Sequence, residues 1–159
     1  MDSNNNPTMV SVAGKAATMR LARARCFVEL PDIVYNKLQD TTMISKKGPV
    51  IATSIIAGVM AAKKTAELIP FCHQVPLDGC DITIEFDKKR HQTLRVECSV
   101  STQSKTGVEM EALVGVNNAA LCIYDMCKGL SHDIRITDTI LISKSGGKRN
   151  FERVENDDK

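Results

Sequence analysis

The sequence predicts an α+β fold, and three features carry that prediction. Residues 80–86 and 94–102 alternate apolar and polar side chains across a polar turn at 87–93, the pattern of an antiparallel hairpin. Two longer stretches, roughly 50–68 and 106–128, read as helices. With one extra short helix set aside, the order strand, helices, strand, strand, helix, strand is the split β-α-β-β-α-β pattern. That order gives an antiparallel sheet with helices packed on one face, a ferredoxin-like arrangement. Because such a sheet hosts many activities, function has to be read from the side chains it carries.

Taken in order, residues 1–9 are polar and predict a disordered tail, 10–151 a single domain, and 152–159 a second disordered tail. Residues 10–23 show no clear period, but Lys15, Arg20, Arg23 and Arg25 make this part of the chain basic. Such a run is a solvated face or an anion-binding arm. A first strand is expected at 24–30. Pro31 then opens a short helix to about Asp40, with Ile33, Val34 and Leu38 on its apolar side. The second helix carries Ala52, Ala57, Gly58, Ala61 and Ala62, small residues that let the sheet or another subunit come close. Lys47 sits just before that helix, where the dipole disfavours a cation, so local stability does not explain it. Lys63 and Lys64 fall in the last turns, where the dipole favours them.

Pro70 to Pro76 brackets an extended segment. Cys72 and His73 are neighbours there and point to opposite sides, which makes them a poor chelating pair. After the hairpin, Thr106 stands three residues before Glu109, the spacing of a capping box, and Gly129 marks the far end of the long helix. A last strand is expected at 134–143. The run Lys144-Ser145-Gly146-Gly147-Lys148-Arg149 reads as a flexible basic tail; it resembles a phosphate-cradling loop but lacks the P-loop spacing.

Composition narrows the function. Apolar residues make up 43% and charged residues 25% of the 159 residues, as in ordinary globular domains. The formal charge of +2 and the 4% aromatic content give no platform for nucleic acid. The longest apolar segment, 49–62, is too short to span a bilayer, and no signal peptide is evident. Six cysteines without a C-x-x-C pair read as reduced thiols in a cytoplasmic protein rather than as disulfides or a zinc site. No metal or cofactor site is expected.

The helix at 106–128 is apolar on most sides yet charged at both ends. Singly, each charge has a local explanation: Glu109 as a cap, Glu111 by the dipole, Asp125 and Lys128 as a pair three residues apart. Together they are harder to explain locally. Glu111 and Asp125 are fourteen residues apart in the sequence, hence ~21 Å along a helix axis. One small catalytic centre within one chain cannot use both ends. Either the ligand is long, or a second subunit supplies one end.

Lys105-Thr-Gly-Val-Glu-Met-Glu-Ala-Leu, Ile123-Tyr-Asp-Met-Cys-Lys, Leu68-Ile-Pro-Phe-Cys-His and Lys144-Ser-Gly-Gly-Lys together resemble the cyclic pyranopterin monophosphate synthase (MoaC) family of molybdenum cofactor biosynthesis. The resemblance runs from about Met9 to Phe151. It implies a ferredoxin-like subunit in a homohexamer, a trimer of dimers, with active sites at subunit interfaces. The implied substrate is 3′,8-cyclo-7,8-dihydro-GTP, supplied by a radical S-adenosylmethionine GTP cyclase. The implied products are cyclic pyranopterin monophosphate and pyrophosphate. By matching motifs, Asp125, Lys128 and Lys47 carry over as catalytic residues. Phe71, Cys72, His73, Met110, Glu111 and Glu109 carry over as substrate contacts, and Arg20, Lys63 and Lys144 as candidates for the triphosphate. Clustered lysines lower one another's pKa, which would make one of them a base. The chain departs from the family pattern at Ser11, Pro49, Ser104, Asn117 and Asn118.

Overall fold

The computed structural model of the chain describes residues 1, 4–39, 44–45 and 47–154. Four long elements form the sheet and its cover: strand β1 (Thr18–Glu29), strand β4 (Gly79–Phe86), strand β5 (Thr93–Ser104) and helix α4 (Glu109–Cys127). Between β1 and β4 lie helix α1 (Asp32–Leu38), the two-residue strands β2 (Ile44–Ser45) and β3 (Gly48–Pro49), helix α2 (Val50–Ala62) and the short turn α3 (Thr65–Leu68). Strand β6 (Arg135–Ser145) and the two-residue β7 (Phe151–Glu152) follow α4.

The sheet order is β4-β5-β1-β6-β7, and every pairing is antiparallel. Four of these five strands carry the expected split β-α-β-β-α-β order. Alternation explains why they face as they do. Ala22, Ala24, Cys26 and Val28 of β1, with Val96, Cys98 and Val100 of β5, turn to the helices and are fully buried. Helix α4 answers with Val108 just before it and Ala112, Val116, Ala119, Ala120 and Ile123 along one face, all without solvent exposure. It lies over β1, β5 and β6, while α2 packs on β4 and on α4. The α2–α4 crossing is close. A Cβ on Gly58 would lie 2.8 Å from the Gly115 carbonyl and would also strike Ile82, so the small residues of α2 serve this contact.

Several expectations need correction. The helix expected over 50–68 breaks at Lys63 and Lys64, and α3 is a separate turn. The first strand begins six residues earlier than expected, at Thr18 rather than residue 24. The run from Lys144 is not a tail: Lys144 and Ser145 belong to β6, and the chain returns as β7, with Lys144 opposite Phe151. Gly146 makes that return possible at φ +82, because a Cβ there would collide with the Met19 carbonyl. Helix α4 is not buried all round, since Leu121 is 56% exposed. Asp40 of the expected first helix, Lys46 and residues 155–159 of the expected C-terminal tail lie outside the described residues.

Candidate active site

Two pockets meet at the N-terminal end of α4. The larger, about 460 Å³, brings together Lys15, Arg20, Lys105, Lys144, Lys148 and Arg149 around a single carboxylate, Glu109. The smaller, about 350 Å³, is lined by Phe71, Cys72, His73, Met110 and Glu111. Thr106, Gly107 and Glu109 line both, so one continuous trough has a cationic end and a mixed apolar-polar end.

The cationic end follows from sheet register. Arg20 lies near the start of β1, opposite Thr102 of β5, and donates from Nε to the Ser104 carbonyl at 3.3 Å. The Gly146-Gly147 return wraps against this arginine: a Cβ on Gly147 would lie 2.7 Å from its Nη1. Thr18 donates from Oγ1 to the Gly146 carbonyl at 2.7 Å and ties the return to β1. Lys144 reaches from β6 to Glu109 Oε1 at 2.8 Å. The expected capping box is therefore not made. The N-cap residue is Val108 with no side-chain cap, and the Glu109 carboxylate folds over Gly107 toward Lys144 instead. The Lys144 ammonium adds an ion pair to the hydrogen bond, which a backbone N–H does not offer. Burial pushes the Glu109 carboxyl up, but the hydrogen bond from Lys144, its own backbone N–H and the charges of Lys144 and Arg20 together leave it below the usual range.

At the other end, Glu111 is only 5% exposed. Burial raises its pKa, its own backbone N–H works against this, and the charge of Glu109 adds to the rise. Cys72 is raised by burial and by the Glu111 charge. His73 Nε2 and the Val10 carbonyl oxygen are 2.8 Å apart, and Lys105 donates from Nζ to the Ala13 carbonyl at 3.2 Å. The segment at 10–13 is thus anchored along the trough by two side chains that line it. Phe71, 53% exposed, offers a flat apolar face.

The third cluster lies at the opposite end of α4. Asp125 accepts from Lys128 Nζ at Oδ1 (2.7 Å) and from Lys47 Nζ at Oδ2 (2.6 Å). All three side chains are about half exposed. Lys47 arrives there on the tight β2–β3 hairpin, in which Ser45 pairs with Gly48 and Gly48 adopts φ +111. Pro49 does not disturb this; it serves as the N-cap residue of α2 and its carbonyl accepts from Thr53 Oγ1. The hydrogen bonds from Lys128 and then Lys47 hold the Asp125 carboxyl down at about 2. The same bond and the Asp125 charge raise Lys128. Mutual lowering of the lysines is therefore not what this carboxylate produces for Lys128: it holds Lys128 as a protonated acid.

Sequence reasoning reached every residue of this triad and, of the smaller pocket, Phe71, Cys72, His73, Glu109, Met110 and Glu111, but not Thr106 or Gly107. It named Arg20 and Lys144 for the cationic end but missed Lys15, Lys105, Lys148 and Arg149 as a group. A basic N-terminal run and the Gly-Gly turn were the available signals. Lys63 is not drawn in; it caps the C-terminus of α2 and stands near Cys80, away from both pockets. Among the described residues, no group of three or more His, Cys, Asp or Glu could hold a metal ion, and no helix is long and apolar enough to cross a membrane.

The model of the MoaC family matches residues 9–147, a span that includes the triad, the smaller pocket and every cation of the larger pocket except Lys148 and Arg149. The chain belongs to the MoaC family. It is 49% identical over 151 residues to the cyclic pyranopterin monophosphate synthase of Xanthomonas oryzae pv. oryzae, covering 95% of this chain and 90% of that one. It is 52% identical over 156 residues to a molybdenum cofactor biosynthesis bifunctional protein of Synechocystis, covering 97% of this chain and 45% of that protein. It is 44% identical over 164 residues to molybdenum cofactor biosynthesis protein 1 of Dictyostelium discoideum, of which it covers 26%. The chain thus spans nearly all of the Xanthomonas enzyme and less than half of the Synechocystis protein. Membership places this MoaC chain in an enzyme family of molybdenum cofactor biosynthesis.

Proposed function

We propose that this MoaC chain is a cyclic pyranopterin monophosphate synthase, a lyase that converts 3′,8-cyclo-7,8-dihydro-GTP to cyclic pyranopterin monophosphate and pyrophosphate. The observation that carries this reading is the trough. Six cations beside an apolar, hydrogen-bonding pocket suit a ligand that is a polyphosphate at one end and a fused heterocycle at the other. Lys15, Arg20, Lys105 and Lys144 would neutralise the phosphates and the charge that develops on the departing pyrophosphate. Phe71 and Met110 would pack on the ring system, and His73 and Glu111 would bond its polar edge.

The Lys47–Asp125–Lys128 triad supplies proton chemistry. Opening and reclosing the purine-derived ring require protons at nitrogen and oxygen. Lys128, oriented by Asp125, and Lys47 on the other carboxylate oxygen are the acid–base candidates. The triad stands ~21 Å from Glu111 along α4. We therefore place a triad from one chain beside the trough of a neighbour, in a homohexamer built as a trimer of dimers. Helix α2 supports such assembly: its thirteen residues carry no charge, and Ile56 and Met60 are 60% and 55% exposed. The substrate would come from a radical S-adenosylmethionine GTP cyclase acting one step earlier. A cytoplasmic setting suits the six free thiols.

Purified protein given the cyclised GTP intermediate should yield the cyclic pyranopterin and pyrophosphate, and Lys128→Ala should abolish both. Equal turnover by Lys128→Ala would remove Lys128 from the mechanism. Tight nucleotide binding by the wild-type chain without turnover would make it a binding module instead.

A further inference from the structure

The Cys80 and Cys98 sulfurs lie 3.9 Å apart, within hydrogen-bonding reach. Cys80 is near the start of β4, an edge strand, and Cys98 is in β5; they sit diagonally, with Cys80 opposite Val100 and Cys98 opposite Ile82. Both turn to the helix side of the sheet. Cys98 is 1% exposed and pinned under α4, since a Cβ on Gly115 would lie 2.8 Å from its Sγ. Cys80 is half-buried and Cys98 buried, so Cys80 is the more accessible residue of the pair. The trough and the triad use neither.

We propose that Cys80 and Cys98 form a peroxide-oxidisable site that closes to an internal disulfide. The Cys80 thiolate attacks one peroxide oxygen. The O–O bond breaks, an S–O bond forms, and the other oxygen leaves with a proton as water. The Cys98 sulfur then attacks the Cys80 sulfur. The S–S bond forms, the S–O bond breaks, and the Cys98 proton leaves with the departing oxygen as a second water. Two thiols are oxidised and one hydrogen peroxide is reduced to two waters.

The surroundings favour this order of events. With Cys80 as the thiolate, Cys98 donates the S–H between them, and that bond pulls the Cys80 pKa below its ordinary value; burial and Asp81 oppose it, and Lys63 assists. Cys98, buried and facing Cys80, is raised and is not the first to react. Closure requires the sulfurs to approach to about 2.05 Å. Strand β4 can supply this movement because only β5 pairs with it. A bond formed by pulling an edge strand inward is strained and readily reduced. It would fasten the start of β4 to β5 directly after the segment that carries Phe71 and His73.

Native full-length protein treated with hydrogen peroxide, alkylated and digested for mass spectrometry tests this directly. The expected result is loss of two free thiols, a mass decrease of about 2 Da, a Cys80–Cys98 linked peptide, and full recovery with dithiothreitol. Cys80→Ser, a change at the partly exposed position, should show no such link and leave Cys98 reduced. Oxygen addition to Cys80 or Cys72 without a link, a link between other cysteines or between chains, or no reaction would each overturn the proposal. None of these readouts depends on turnover.

Discussion

Asp125 and Glu111 are carboxylates on one helix with opposite electrostatic fates, and each fate makes a prediction. Asp125 is bracketed by two ammonium groups and held at about 2. A carboxyl lowered in the folded state contributes stability above its unfolded pKa of ~3.9, and that stability is lost as pH falls through the folded value. A carbon-detected NMR titration should find Asp125 ionised at pH 4 and titrating near 2, and Asp125→Asn should let Lys128 titrate lower than in the wild type. Glu111 runs the other way. Burial raises it, so its contribution is present below its unfolded pKa and lost as pH rises through the folded pKa. Glu111→Gln should therefore raise the melting temperature at pH 7 more than at pH 4, while weakening substrate binding. An equal shift at both pH values would mean that the folded state does not perturb this carboxyl. The capping-box expectation failed at the same scale. The Thr106–Glu109 spacing is visible in the sequence, but Lys144, thirty-five positions further on, takes the carboxylate.

At the scale of elements, the crossing of α2 over α4 is the most demanding contact. Gly58→Ala forces a methyl into Ile82 and the Gly115 carbonyl; such overpacking costs about 1–3 kcal/mol, measurable by urea unfolding. Ser54, on the same helix, has a fully buried hydroxyl with no hydrogen-bond partner among the described residues. Ser54→Ala should leave stability unchanged or raise it by up to about 1 kcal/mol, because removing an unsatisfied polar group relieves a desolvation cost. The hairpin β4–β5 and the later part of β1 were legible because one face is more deeply buried than the other, which writes a period of two into the sequence. The start of β1 was not: Met19 and Leu21 point outward and are about half exposed, and Arg20 takes an inward position at the rim. Strand β7, two residues long, is too short to show any period. The α2–α3 break was hidden because two lysines are good helix formers and nothing local marks a stop.

For the whole molecule, the sequence named candidate groups but not how they meet. Asp125 and Lys128 could be paired from spacing alone. The approach of Lys47 to Asp125, across seventy-eight positions, and the convergence of Lys15, Lys105, Lys148 and Arg149 depend on chain reversals that no local pattern encodes. Assembly extends the same argument beyond one chain. Light scattering should give the mass of six subunits, and Met60→Glu, on the uncharged face of α2, should lower it by placing a charge where apolar contact is needed. The central claim is that trough and triad belong to different chains of one site. It is tested by mixing Lys128→Ala subunits with Arg20→Ala,Lys144→Ala subunits, each inactive alone, and measuring pyrophosphate release after co-assembly. If a site draws one end from each of two chains, random mixing restores about a quarter of wild-type turnover. No recovery in a co-assembled oligomer would contradict the account.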